Sequence, residues 1–289
     1  MLMKSFFTFL VLLGSAVAAT AQDDLLNALG TEQTRPPLVI ATFKTTRLVT
    51  GPSTENVARG VLDFRISHRF NTLKNGASDF FGLDGATTML SLDYGITDRI
   101  MVGLSRSSFN KEIEGYTKIK LLRQRTSKMP LSVSYVGAIS ERTNNGYNFS
   151  QNLSYTHQLL IARKFGERFS AQLSPTIAHY NLVNETTDPN TIYSVGIGGR
   201  FKLSRRVTLN AEYYPVLGER LAGTTNAVAI GFDIETGGHV FQLHFTNSAG
   251  MTQRSHIGET TGRVSDGDIR FGFNISRVFT IVKPKGIPE

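Results

Sequence analysis

The 289-residue chain has no cysteine, no tryptophan, only nine prolines and, beyond its first 22 residues, nothing near the roughly 18 consecutive apolar residues that a membrane-spanning helix needs. The missing cysteines exclude disulfides, thiolate metal sites, cysteine nucleophiles and iron–sulfur clusters together. Apolar residues make up 40% of the chain, too little for a bundle of membrane helices. Disorder is excluded from the other side, because 19 Phe and 9 Tyr supply more apolar area than a disordered chain carries. The formal charge of +8 has no basic run behind it, since Lys and Arg fall singly among alternating segments and turns. Nucleic acid is therefore not an expected partner.

What is present begins with an export signal. One Lys, an apolar run from Phe6 to Leu13, and small residues at Ala19 and Ala21 form the three parts of a secretory signal peptide over residues 1–21. Its apolar core is too short to span a bilayer comfortably as a helix.

From Val61 onward the dominant signal has period two. Leu62, Phe64, Ile66 and Phe70 fall on one face while Asp63, Arg65, Ser67 and Arg69 fall on the other, as in a strand that is apolar on one side only. The same alternation recurs to Phe279 and predicts twelve strands of roughly 7 to 13 residues, which brackets a tilted bilayer crossing. Tight links at Thr97–Arg99, Gly166–Arg168, Ser204–Arg206 and Thr236–His239, with Thr126–Pro130 nearly as short, alternate with longer polar ones. Those are Asn71–Gly85, Phe109–Gly115, Glu141–Asn152, Asn181–Thr191, Val216–Thr225 and Ser248–Asp268. A soluble β-sandwich shares the period but gives no reason for the loops to be asymmetric. The expected fold is all-β: a twelve-stranded antiparallel up-and-down transmembrane barrel over residues 60–282, with short periplasmic turns, long extracellular loops and a tail at 283–289.

Residues 22–59 do not read as barrel. Asp23–Gly30 fits a short helix with an acidic start and a glycine stop, Arg35-Pro36-Pro37 fits an extended linker, and Phe43–Val49 has strand character before a Gly51-Pro52 turn. A periplasmic arm, a plug inside the lumen and a thirteenth strand all remain open. The blocks Phe43–Val49, Gly60–Phe70, Phe80–Asp84 and Leu92–Arg99 resemble an uncharacterised outer-membrane β-barrel family of Gram-negative bacteria, a domain of unknown function. The resemblance implies an exported protein in the outer membrane, and implies no activity or catalytic residue.

In a closed barrel the polar positions point into the lumen. The register puts Asp63, Arg65, Arg69, Asp93, Lys118, Lys120, Arg200, Lys202, Glu212, Asp233 and Arg270 there, seven cations against four anions. A network of paired charges filling the interior weighs above an anion filter, because unpaired buried charge is costly. The expected role is a narrow or plugged channel for small solutes, anions among them, or a barrel component of an envelope assembly whose protein partner stays unknown. Outer-membrane lipid is the surrounding partner. A hydrolase acting on lipid or peptide is the alternative, yet the six His accompany no glycine-flanked serine elbow and no His-Glu-x-x-His pattern. No catalytic residue, metal or cofactor is expected. Gly196-x-Gly198-Gly199 lies inside a strand, where glycines admit close packing or a bulge, and not between a strand and a helix where a dinucleotide would need them. His68 and His157 fall on the lipid face. His68 is placed at an interface, and His157 by a slipped register or a partner subunit.

Overall fold

Twelve chain crossings close on themselves as one antiparallel sheet in the computed structural model, which describes residues 37–283 apart from Asn144. The signal peptide, the Asp23–Gly30 helix and residues 284–289 lie outside the described residues. The strands are β1 (Val61–Thr72), β2 (Ala86–Gly95), β3 (Ile100–Ser107), β4 (Glu112–Leu122), β5 (Ser132–Arg142), β6 (Leu153–Lys164), β7 (Phe169–Tyr180), β8 (Thr191–Lys202), β9 (Val207–Tyr214), β10 (Val216–Leu217), β11 (Ala227–Thr236), β12 (His239–Thr246) and β13 (Arg270–Thr280). Successive crossings pair with each other, and β1 pairs with β13 to remove the last free edge. The segments β9 and β10 form one crossing. Both pair with β8 in the same register, Tyr213 opposite Ile197 and Val216 opposite Ser194, and the break falls at Pro215, which has no N–H to donate.

The packing inverts that of a water-soluble protein. On β1 the inward Asp63, Arg65, Ser67 and Arg69 are 1–3% exposed, whereas outward Leu90, Leu104, Ile139 and Ile197 are about half exposed. Large apolar side chains spread around an outer wall, with charges sealed inside, suit a hydrocarbon exterior. Phe165, Phe169 and Phe201 stand outward near one rim, where aromatic rings serve as interfacial anchors.

The links depart from strict alternation in one place. The sequence predicts a loop over Phe109–Gly115, but β4 already begins at Glu112, leaving only residues 108–111 between β3 and β4. The opposite rim's link at 123–131 is longer than that. Ile113 lies between two glutamates and a glycine, so this part of the alternation reads as a polar loop until both glutamates are seen to face inward. The remaining links on that side, 73–85, 143–152, 181–190, 218–226 and 247–269, make it the long-loop rim.

The outward histidines are accommodated without a register slip. His157 stands opposite Gly137 and Ile177, and its Nδ1 lies 2.6 Å from the Tyr135 hydroxyl. His68 stacks on Phe273 at 5.0 Å between centroids, with Nδ1 3.0 Å from Thr88 Oγ1.

Candidate functional site

Two chain segments are held against the inward side chains. The first is residues 42–55. Ser53 N donates to the Thr46 carbonyl at 2.9 Å and Leu48 N to Gly51 O at 2.8 Å, which folds the segment into a tight turn with Val49 and Thr50 at its tip. It is not a strand; its one ladder-like contact is a bridge between Arg47 and Pro52. The strand character of Phe43–Val49 is overridden because the wall answers its backbone groups with side chains.

The Glu212 carboxylate accepts from the backbone N–H groups of Thr50 at 2.7 Å, Gly51 at 3.1 Å and Val49 at 3.3 Å. Lys118 Nζ donates to the carbonyls of Glu55, Ser53 and Thr46 at 2.5, 2.9 and 3.0 Å. Arg200 donates to Ala41 and Thr42 carbonyls at 2.7 and 3.0 Å, and Gln172 both accepts from Thr54 N and donates to Pro52 O. Such partners satisfy backbone that would otherwise be buried unpaired. Glycines supply the room: a Cβ at Gly51 would stand 1.8 Å from Tyr214 Oη, and one at Gly198 would stand 2.2 Å from Leu48 Cδ2.

The remaining sequence-predicted residues fall around this turn. Asp93 accepts from Thr46 Oγ1 at 2.8 Å and from the Tyr116 hydroxyl; Arg65 donates to Thr46 Oγ1 at 2.9 Å and pairs with Asp63 at 3.3 Å. Arg69 reaches Asn274 at 3.0 Å and Thr50 Oγ1 at 3.3 Å. Asp233 accepts from Gln242, which also donates to Leu48 O. Lys120 pairs with Glu55 at 3.7 Å, while Arg270 donates to the Phe70 carbonyl at 3.1 Å near the long-loop rim. Lys202 is half-buried at the other rim and forms no ion pair among the described residues.

The second segment is the long link after β12, whose short helix α1 (Gln253–Gly258) is wholly buried. Thr252 Oγ1 caps it by accepting from Ser255 N. Ile257 joins an apolar cluster with Tyr180, Ile192 and Tyr214. Arg254 holds Glu259 at 2.9 Å, approaches Glu112 at 3.9 Å and lies 4.9 Å over the Tyr180 ring. Arg142 ties Glu112 at 3.3 Å to Glu259, and Glu114 accepts from Gln253 N at 2.7 Å. Sequence reasoning missed Arg47, Glu112, Glu114, Arg142, Arg254 and Glu259. The period-two run Glu112-x-Glu114-x-Tyr116-x-Lys118 carried a signal for the two glutamates; nothing in the polar stretch around Arg254 marks a buried helix. The three missed arginines and three missed glutamates leave the cation surplus among the wall residues unchanged.

His256 in α1 lies 4.8 Å edge-on to Tyr214, and its Nδ1 donates to the Thr252 carbonyl at 3.2 Å. Burial holds its pKa down at about 3, with Arg47 and Arg69 acting in the same direction. A base whose folded pKa is depressed makes the buried state lose stability as pH falls below the ordinary value near 6.5. Acidification from pH 7 to 5 should weaken the seating of this link by about 2 kcal/mol. Hydrogen exchange at residues 252–258 should speed up over that window, and His256→Phe should flatten the response.

Among the described residues, the hydrogen bonds that histidine side chains make go to Thr, Tyr or a backbone carbonyl and none to a Ser hydroxyl or Asp carboxylate. No group of three His, Asp or Glu there could hold a metal ion.

A closed twelve-crossing antiparallel barrel with an apolar outside and a charged, chain-filled inside is a membrane-bound β-barrel. Residues 43–279 match the membrane-bound β-barrel domain family DUF5777, and the chain belongs to that family. Its fold is also that of an outer membrane channel from Pseudomonas putida F1, 13% identical over 78% of this chain and 98% of the other, with a TM-score of 0.53. The NanC porin aligns over 76% of this chain and 100% of its own at 8% identity and a TM-score of 0.49. No curated protein matches the chain in sequence.

Proposed function

We propose that the protein is an outer-membrane channel for small solutes, held shut by residues 42–55 and by the buried link 247–262. The observation that carries this reading is the Glu212 carboxylate on three consecutive arm N–H groups, with Lys118 on three arm carbonyls opposite. Wall side chains that bind a separate stretch of backbone, more than one another, suit a stopper that can leave. The short links then face the periplasm, where an exported N-terminal segment would enter, and the long loops face outward.

With the arm removed, Lys118 and Arg200 lose their carbonyl partners and Lys120 loses Glu55. Their field in a low-dielectric lumen favours anions. In the chain lacking residues 22–59, the triple change Lys118→Glu, Lys120→Glu and Arg200→Glu should move the reversal potential under a salt gradient from anion-selective to cation-selective. An unmoved reversal potential would remove these residues from the conduction path. The barrel architecture supports a channel over a hydrolase, and faster gel migration before boiling than after is the expected sign of the closed barrel.

A further inference from the structure

The long-loop rim holds a cavity of about 450 Å³, bordered by Arg142 and Arg254 of the charge cluster described above. Its volume lies in the range of about 300–1,000 Å³ that small-molecule sites occupy. Among the described residues, Lys111, Arg142 and Arg254 line it and no Asp or Glu does. The carboxylates of Glu112 and Glu259 engage the two guanidinium groups without lining the cavity, and Glu112 is fully buried. Arg142 Nη1 makes no hydrogen bond and Lys111 Nζ no ion pair among the described residues. Arg142 and Lys111 therefore retain donors, whereas all three guanidinium nitrogens of Arg254 are taken by Glu259 and the Asn152 carbonyl.

The other walls are mainly amides, with the hydroxyls of Ser108 and Thr143, the Tyr147 ring and Leu182. Asn145 and Asn152 hydrogen-bond each other in both directions, at 2.5 and 2.8 Å, and Asn152 also donates to the Tyr147 carbonyl at 3.2 Å. That exchange fixes the wall before any ligand arrives, which lowers the ordering cost of binding. Asn184 contributes a further amide from the link between β7 and β8. Tyr147 is 57% exposed and offers a flat apolar face with a polar tip. The exposed amides of Asn110 and Asn184, each both donor and acceptor, match sugar hydroxyls; an exposed ring matches the apolar face of a pyranose; the cationic edge matches a carboxylate.

We infer that this cavity is a recognition site for a carboxylated saccharide of one or two rings. The inference deepens the channel reading, on which it rests, by naming the class of solute received at the outer rim.

Isothermal titration calorimetry on residues 22–289 in detergent micelles tests it, with cellobiouronate and its neutral counterpart cellobiose as probes. Cellobiouronate should bind at least about tenfold more tightly than cellobiose, as expected for a charge-assisted contact. Raising the salt from low to high concentration should erode that preference. Lys111→Gln should bring cellobiouronate to the affinity of cellobiose, and Tyr147→Ala should weaken both sugars. Both residues are exposed, and heat-modifiable gel migration checks that each variant is folded. Equal affinity for the two sugars, binding of neither, or Lys111→Gln leaving the preference intact would overturn the inference. Binding in micelles needs no conduction, so preferential binding beside a silent arm-deleted barrel would sink the channel reading and leave the site standing. Conduction without sugar binding would do the reverse.

Discussion

Replacing Glu212 by Ala should free the arm. Its carboxylate is the shared acceptor of Val49, Thr50 and Gly51 N–H groups at the innermost point of the turn. With the acceptor gone, a docked arm would leave three buried donors unpaired at about 1–3 kcal/mol each, so the arm undocks instead of bearing that full cost. A loss of about 3 kcal/mol shifts the docked-to-free ratio by roughly a hundredfold. Trypsin reads this directly. Arg47 is 4% exposed and should resist cleavage in the native protein, and should be cut rapidly in Glu212→Ala while the barrel strands stay intact. Glu212→Gln keeps one acceptor oxygen and should fall between the two. Equal protection of Arg47 in all three proteins would show that the carboxylate does not hold the arm.

Arg254→Ala should have a comparable effect at the other rim. Arg254 is 3% exposed, and its guanidinium joins Glu259 to the region of Glu112 while covering the Tyr180 ring. Removing one partner of a buried charge pair costs about 3–5 kcal/mol, because the charge left behind stays out of water. Arg142 retains contact with both glutamates, which places the expected loss at the lower end. The barrel wall does not depend on this cluster, so heat-modifiable migration should persist. Hydrogen exchange should instead rise sharply over α1 and leave β4 and β5 protected. Unchanged exchange in α1 would mean that Ile257 and its apolar neighbours hold the link alone.

The fold was legible because lipid outside and charge inside impose opposite chemistries on successive residues. Leu62-Asp63-Phe64-Arg65-Ile66 can satisfy both only as a strand in a wall. Positions such as Lys118, Arg200 and Glu212 were readable as inward for the same reason. What each of them binds was not, because their partners are backbone groups of residues 42–55, and a backbone carbonyl leaves no mark in a sequence. Gly198 shows the limit from another side: the sequence leaves close packing or a bulge open there, and the structure supplies Leu48 as what approaches. The buried α1 was unreadable, since Gln253-Arg254-Ser255-His256 has the composition of an exposed loop and is buried only because Glu112, Glu114 and Glu259 receive it. The cavity on the long-loop rim was equally hidden, as its walls come from four separate links.

The claim that two inserted segments shut this barrel is tested most directly by planar-bilayer conductance in a series: residues 22–289, the chain lacking residues 22–59, and that shortened chain carrying Arg254→Ala. The expected result is near silence from the first, anion-selective current from the second and a larger conductance from the third. The same conductance in all three would contradict it.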